Sequence, residues 1–140
     1  MESAQSAAPI DDAHRGDSLS DDDVLLRRVP RYLRVAEGGT RPSSNAFDDS
    51  PDGSQMSVYV ERILESISKT YLDVIEGFDD YGLVAFTVGI VRSLGWEVVL
   101  GGADEDDPLG PAHAGVHSPA KKTRPQRKIL AMTCEKRVWP

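Results

Sequence analysis

Residues 56–78 read MSVYVERILESISKTYLDVIEGF, and apolar side chains recur along this stretch at steps of three and four. The apolar set is Val60, Ile63, Leu64, Ile67, Tyr71, Val74, Ile75 and Phe78. This spacing is typical of an amphipathic helix, because it keeps the apolar side chains on one face. We predict a long helix over about 59–76, ending before Gly77, with residues 56–59 either a short strand or the start of the helix.

Two further helices are predicted on the C-terminal side. Residues 83–94 are apolar on nearly every side, and their length together with Gly95 favours a buried helix over about 84–94, with or without a strand over 83–86. Thr123 and Gln126 have the spacing of a capping box, which predicts a C-terminal helix over about 124–136. Residues 96–100 and 112–117 have strand patterns. The predicted fold is therefore α+β, a small two-layer single domain built on a long amphipathic helix.

Charge divides the 140-residue chain into three parts. Residues 1–23 carry seven acidic and one basic side chain, residues 108–140 carry seven basic and one acidic side chain, and the whole chain has a net charge of −7. The first segment has few large apolar residues, so its burial would not offset the entropy of ordering it. We predict a disordered acidic tail over 1–23 and a single domain over 24–140.

Composition excludes several classes of protein. The single cysteine, Cys134, cannot form an internal disulfide, which indicates a reducing compartment. The longest apolar run is too short to span a bilayer, and the first twenty residues lack the pattern of a secretory signal. We expect a soluble, cytoplasmic protein. The acidic balance argues against nucleic acid as a partner, since basic residues dominate only the C-terminal quarter.

His113 and His117 are candidate catalytic residues. In the predicted strand over 112–117 they point to the same side, because side chains alternate between the two faces. Two imidazoles on one face can act as a general acid and a general base, or as metal ligands. No third ligand stands at a known metal-binding spacing, so we predict neither a metal nor a cofactor. The alternative is a pair of surface or structural histidines.

The sequence Arg41-Pro-Ser-Ser44 is a candidate anion-binding segment. The planar guanidinium of Arg41 can pair with two oxygens of a phosphate or carboxylate, and Ser43 and Ser44 supply hydroxyls. The alternative is a turn whose serines cap nearby backbone groups. The basic run over 121–128 has the charge to dock an acidic partner, the alternative being a solvated helix start.

A short stretch also resembles a known family. An arginine in an early strand, Arg27 or Arg28, followed by Arg41-Pro-Ser-Ser44 and Ser57-Val-Tyr59, is similar to the opening of small RES-type domains. These belong to the ADP-ribosyltransferase-like group, which handles NAD. The resemblance covers only the opening of the domain and places no acidic catalytic residue. It implies that Arg28, Arg41 and Tyr59 face a nucleotide.

Two functions of different classes follow. The first is a small binding or accessory protein for an anionic ligand or a protein partner, since no recognised catalytic motif is present. The second is an enzyme acting on a nucleotide or another phosphate-bearing substrate, in which Arg41 holds the phosphate and His113 or His117 moves a proton. The enzyme requires Arg41 and the histidines to line one pocket, whereas the binding protein does not.

Overall fold

The computed structural model describes residues 19–33 and 40–140, and its centre is a six-stranded antiparallel sheet. The strands are β1 (Val24–Val29), β2 (Met56–Val60), β3 (Gly82–Thr87), β4 (Glu97–Leu100), β5 (His113–His117) and β6 (Glu135–Val138). Their order across the sheet is β4-β5-β2-β1-β3-β6. The first strand therefore lies in the middle of the sheet, and β4 and β6 form its edges.

Helices are short in the described part of the chain. The four α-helices are α1 (Glu61–Ser66), α2 (Tyr71–Ile75), α3 (Val88–Ser93) and α4 (Arg124–Thr133), and single 3-10 turns cover Arg31–Leu33, Ser44–Phe47 and Gly110–Ala112. The chain does combine helices with an antiparallel sheet, as an α+β protein does. The predicted two-layer arrangement around a long helix is wrong, because the sheet and not a helix forms the centre of the fold.

The predicted helix over 59–76 is divided into the end of β2 and two short helices. Ser68, between α1 and α2, adopts the left-handed backbone conformation with φ of 62°. Thr70 then begins α2 with a capping box, in which its hydroxyl accepts the Leu72 N–H and the Asp73 carboxylate accepts the Thr70 N–H at 2.8 Å. A helix cannot continue through a left-handed residue followed by a new cap.

The predicted buried helix over 84–94 is also wrong as a single element, whereas the alternative of an initial strand over 83–86 is confirmed. Residues 82–87 form β3, which pairs with β1 along all six residues and with β6 on its other side. An interior strand buried on both faces reads as a continuous apolar run, which is the pattern that suggested a buried helix. Thr87 ends the strand and begins α3, since its hydroxyl accepts the Ile90 N–H at 3.2 Å.

Several predictions for the C-terminal part of the chain, which were based on short sequence patterns, are confirmed. Thr123 and Gln126 form the predicted capping box. The helix ends at Thr133 and not near residue 136, because the chain then becomes β6 and pairs with β3. The predicted strands over 96–100 and 112–117 are confirmed as β4 and β5.

The two faces of the sheet are covered by different segments. Leu25 lies opposite both Val60 and Phe86, and Phe47 packs edge-on against Phe86 at 5.8 Å between ring centroids. The 3-10 turn Ser44–Phe47 also packs against α4, so we call this side of the sheet the α4 face. On the other side, the Arg28 Nε donates to the carbonyl of Val74 in α2 at 2.6 Å. We call this second side the α1–α2 face.

Residues 1–18 of the predicted acidic tail lie outside the described residues. The remaining residues of that segment pack against the domain: Leu19 is buried, and Arg92 donates to the Leu19 carbonyl at 3.0 Å and to the Asp21 carboxylate at 2.8 Å. Within the part of the chain that the structure describes, no helix has the length and apolar character needed to cross a bilayer.

Candidate functional site

A cavity of about 650 Å³ opens on the α1–α2 face, where β2, β5 and β4 lie side by side. Ser57, Gly115 and Val99 lie opposite one another in these strands and form its floor. The segment 52–55 and the loop 101–107 form its walls. His113 and His117 stand on either side of Gly115 in β5, so we call this space the histidine cavity.

The hydrogen bond of His113 determines which of its ring nitrogens can accept a further hydrogen bond. Its Nδ1 lies 2.7 Å from the carbonyl oxygen of Gly101. Because a carbonyl oxygen only accepts, this contact places a proton on Nδ1 and leaves Nε2 as the acceptor of the neutral ring. His117 is exposed and also lines the cavity, so the two candidate catalytic histidines do lie in one cavity.

Tyr59 holds the loop 101–107 at the edge of the cavity. Its hydroxyl donates to the Asp107 carboxylate at 2.8 Å, and its ring packs edge-on against His113 at 5.4 Å. Burial raises the pKa of the Tyr59 phenol, the hydrogen bond to Asp107 raises it further, and the nearby Arg28 guanidinium opposes both. Tyr59 therefore stays protonated and positions the loop, and it is not a base.

Arg28 contacts Tyr59 but does not line the histidine cavity. Its guanidinium lies 5.3 Å from the Tyr59 ring centroid and 4.0 Å from that of Phe78. Such stacking on aromatic faces stabilises a guanidinium while its Nε is bound to the Val74 carbonyl. Arg28 thus ties α2 and the following turn to the sheet.

A second concave site lies on the α4 face, between the segment 41–45 and α4. It has a volume of about 460 Å³, and its polar lining consists of Arg41, Ser43, Ser44, Asn45, Arg124 and Lys128. None of the described residues that line it is acidic. We call this site the basic hollow, and it contains all three residues that the sequence proposed for anion binding.

Contacts between the segment 41–48 and the C-terminal elements hold the basic hollow together. The Arg41 guanidinium reaches the sulfur of Met132, and Arg127 donates to the Asn45 amide oxygen at 2.7 Å. Lys136 donates to the Thr40 carbonyl at 2.6 Å. The cations of this hollow therefore belong to two chain segments that the fold fixes relative to each other.

Arg124 and Lys128 complete the hollow, and the sequence had placed them only in a general basic run. They stand four residues apart on α4, so both side chains leave the helix on the same side. That spacing was visible in the sequence once the helix was predicted. The approach of residues 41–45 to this side of α4 was not, because some eighty residues separate the segments.

The basic hollow and the histidine cavity lie on opposite faces of the sheet. The structure therefore does not bring Arg41 together with His113 and His117, which the enzyme hypothesis requires. It also separates the three residues that the RES-type resemblance assigned to one nucleotide, since Arg28 and Tyr59 lie on the α1–α2 face and Arg41 borders the α4 face.

Comparison of the chain with known protein families, with curated proteins and with solved structures finds no match. The resemblance to RES-type domains gains no support from these comparisons. Among the residues that the structure describes, no group of three or more histidine, cysteine, aspartate or glutamate side chains is placed to hold a metal ion. The histidine cavity and the basic hollow are therefore the features of the protein that bear on its function.

Proposed function

We propose that this protein is a small binding protein whose basic hollow holds a phosphate-bearing anion. The observation that carries the proposal is the convergence of Arg41, Arg124 and Lys128 on one concave site with no acidic side chain among the described lining residues. Cations brought together without carboxylates repel one another, and an anion bound among them removes that repulsion.

The chemistry of the lining favours phosphate over a simple halide. Arginine presents a planar pair of N–H donors that matches two phosphate oxygens, and lysine adds a point charge. The Ser43 and Ser44 hydroxyls can donate to further oxygens of the same group. The side chains of Arg124 and Lys128 make no ion pair or hydrogen bond with any described residue, so their donors are available to a ligand.

The volume of the hollow suits a small phosphorylated molecule. A space of about 460 Å³ is within the range of sites that bind small ligands, about 300–1,000 Å³. We limit the proposal to binding. An enzyme that uses Arg41 for the phosphate and a histidine for proton transfer has no geometric support, because the imidazoles are across the sheet.

Paired substitutions in α4 test this proposal. Replacing Arg124 and Lys128 by glutamine removes two cations from exposed positions of the hollow and leaves the helix in place. Binding of inorganic phosphate, pyrophosphate and adenosine monophosphate is measured by isothermal titration calorimetry at low salt, where charge interactions are least screened. We expect the double variant to bind at least about tenfold more weakly, as the loss of charge-assisted hydrogen bonds predicts.

Lys69→Gln provides the control, because Lys69 lies between α1 and α2, is not among the residues that line the hollow, and its substitution also removes a positive charge. It should leave the affinity for these anions unchanged. The proposal is wrong if the control weakens binding as much as the double variant in α4, or if the unmodified protein binds none of the three anions at millimolar concentration.

A further inference from the structure

The histidine cavity contains hydrogen-bond acceptors that the described residues leave open. The Nε2 of His113 is an acceptor because Nδ1 donates to Gly101. Asp104 also lines the cavity, and its carboxylate makes no hydrogen bond or ion pair in the described structure. A ligand that fits this site must therefore bring donors.

The charge of the lining selects among donor-bearing ligands. Three carboxylates line the cavity, those of Asp52, Asp104 and Asp107, and no lysine or arginine is among its described lining residues. Asp52 and Asp107 are already hydrogen-bonded, to Ser54 and to Tyr59 respectively. Their charge remains, and a concave acidic site concentrates cations and repels anions.

Gly115 lies at the floor of the cavity beneath two side chains. A Cβ added at this position would lie 3.2 Å from the His117 Nε2 and 3.3 Å from the Gln55 Cβ. These distances are tighter than ordinary van der Waals contact, so a side chain at position 115 would displace His117 or Gln55 from the lining of the cavity.

We infer that the histidine cavity binds a small organic cation with several N–H donors, such as an amine or guanidinium compound. The ligand would donate to the His113 Nε2 and the Asp104 carboxylate while its positive charge offsets the negative charge of the three aspartates. This site is independent of the anion proposed for the basic hollow, because it lies on the other face of the sheet and has the opposite charge.

The probe is agmatine, which carries a primary amine and a guanidinium, and 1,4-butanediol is the neutral comparator of similar reach. Binding is followed by isothermal titration calorimetry at low salt. We expect agmatine and not the diol to bind. Asp104→Asn should weaken agmatine binding about fivefold, as the loss of one partly solvated charge predicts.

Glu105→Gln is the control, since Glu105 is an exposed acidic residue of the same loop that does not line the cavity. It should change the affinity less than Asp104→Asn does. Gly115→Val, checked for folding by thermal unfolding, should weaken agmatine binding by displacing His117 and Gln55 from the lining of the cavity. The inference is overturned if agmatine does not bind, if the diol binds equally well, or if Glu105→Gln and Asp104→Asn have equal effects.

Discussion

Asp23 shows how a single buried carboxylate connects the start of the described chain to the domain. Its side chain is only 6% exposed, and it accepts hydrogen bonds from the Arg62 Nε at 2.7 Å and from the Ser20 N–H at 2.9 Å. The hydrogen bond from Arg62 lowers the pKa of Asp23 below its ordinary value, and burial opposes that shift. The ionised form is therefore the one that the fold stabilises.

The lowered pKa of Asp23 predicts a pH-dependent contribution to stability. A carboxyl group with a lower pKa in the folded state stabilises the fold above its ordinary pKa, and this contribution is lost as pH falls through the folded value. Asp23→Asn should therefore cost about 1–3 kcal/mol at pH 7, with a smaller cost near pH 2.5. Urea unfolding at both pH values measures the difference. Asp22→Asn, at the exposed neighbouring residue, is the control. An equal cost of Asp23→Asn at the two pH values would contradict a lowered pKa of Asp23 in the folded protein.

Lys122 illustrates what a sequence cannot show at the scale of one residue. In the sequence it belongs to a basic run, yet its side chain is fully buried, with Nζ 2.6 Å from the Asp49 carboxylate and 5.3 Å from the centre of the Trp96 ring. Asp49 is 73 residues away from Lys122 in the sequence, so no local sequence pattern indicates this ion pair. A buried lysine is tolerated only with such a partner, and only the tertiary structure reveals that partner.

At the scale of elements, the local signals predicted the structure well and the long apolar stretches did not. Short sequence patterns correctly predicted the Thr123–Gln126 capping box and the strands β4 and β5, because each pattern lies within a few residues. The steps of three and four over 59–76 suggested a single helix, but Val60 belongs to a strand, and Leu64 and Val74 are buried residues of two separate helices. Strand pairing with distant segments overrides local helix preference there.

The break between α1 and α2 gives a prediction at this scale. Ser68 has a positive φ. This backbone conformation raises the free energy of a non-glycine residue by roughly 1 kcal/mol, whereas glycine adopts it without that cost. Ser68→Gly should therefore raise the free energy of unfolding by about 0.5–1 kcal/mol. The matched variant Ser66→Gly, in the last turn of α1, should lower it by a similar amount. Chemical denaturation measures both, and a destabilising Ser68→Gly would refute the explanation of the break.

At the scale of the whole molecule, the sheet separates two sites of opposite charge. The chain has a net charge of −7, so its overall field repels anions, and the basic hollow can attract one only through its own closely spaced cations. Interactions between charges more than about 10 Å apart are largely screened at ordinary ionic strength. The negative charges elsewhere on the chain therefore do little to oppose the binding of an anion in the basic hollow. The positions of the two sites could not be predicted from sequence, because each depends on segments that meet only through the order of strands across the sheet.

The most direct test of the account is a titration of the 15N-labelled protein with inorganic phosphate, followed by two-dimensional NMR. The central claim is that the basic hollow binds a phosphate-bearing anion on the α4 face, apart from the histidine cavity. We predict saturable shifts for the backbone amides of Arg41, 43–45, Arg124 and 126–131, with those of Ser57, Gly115 and His117 unchanged. Shifts centred on β2 and β5, or no saturable shift on α4, would contradict the claim.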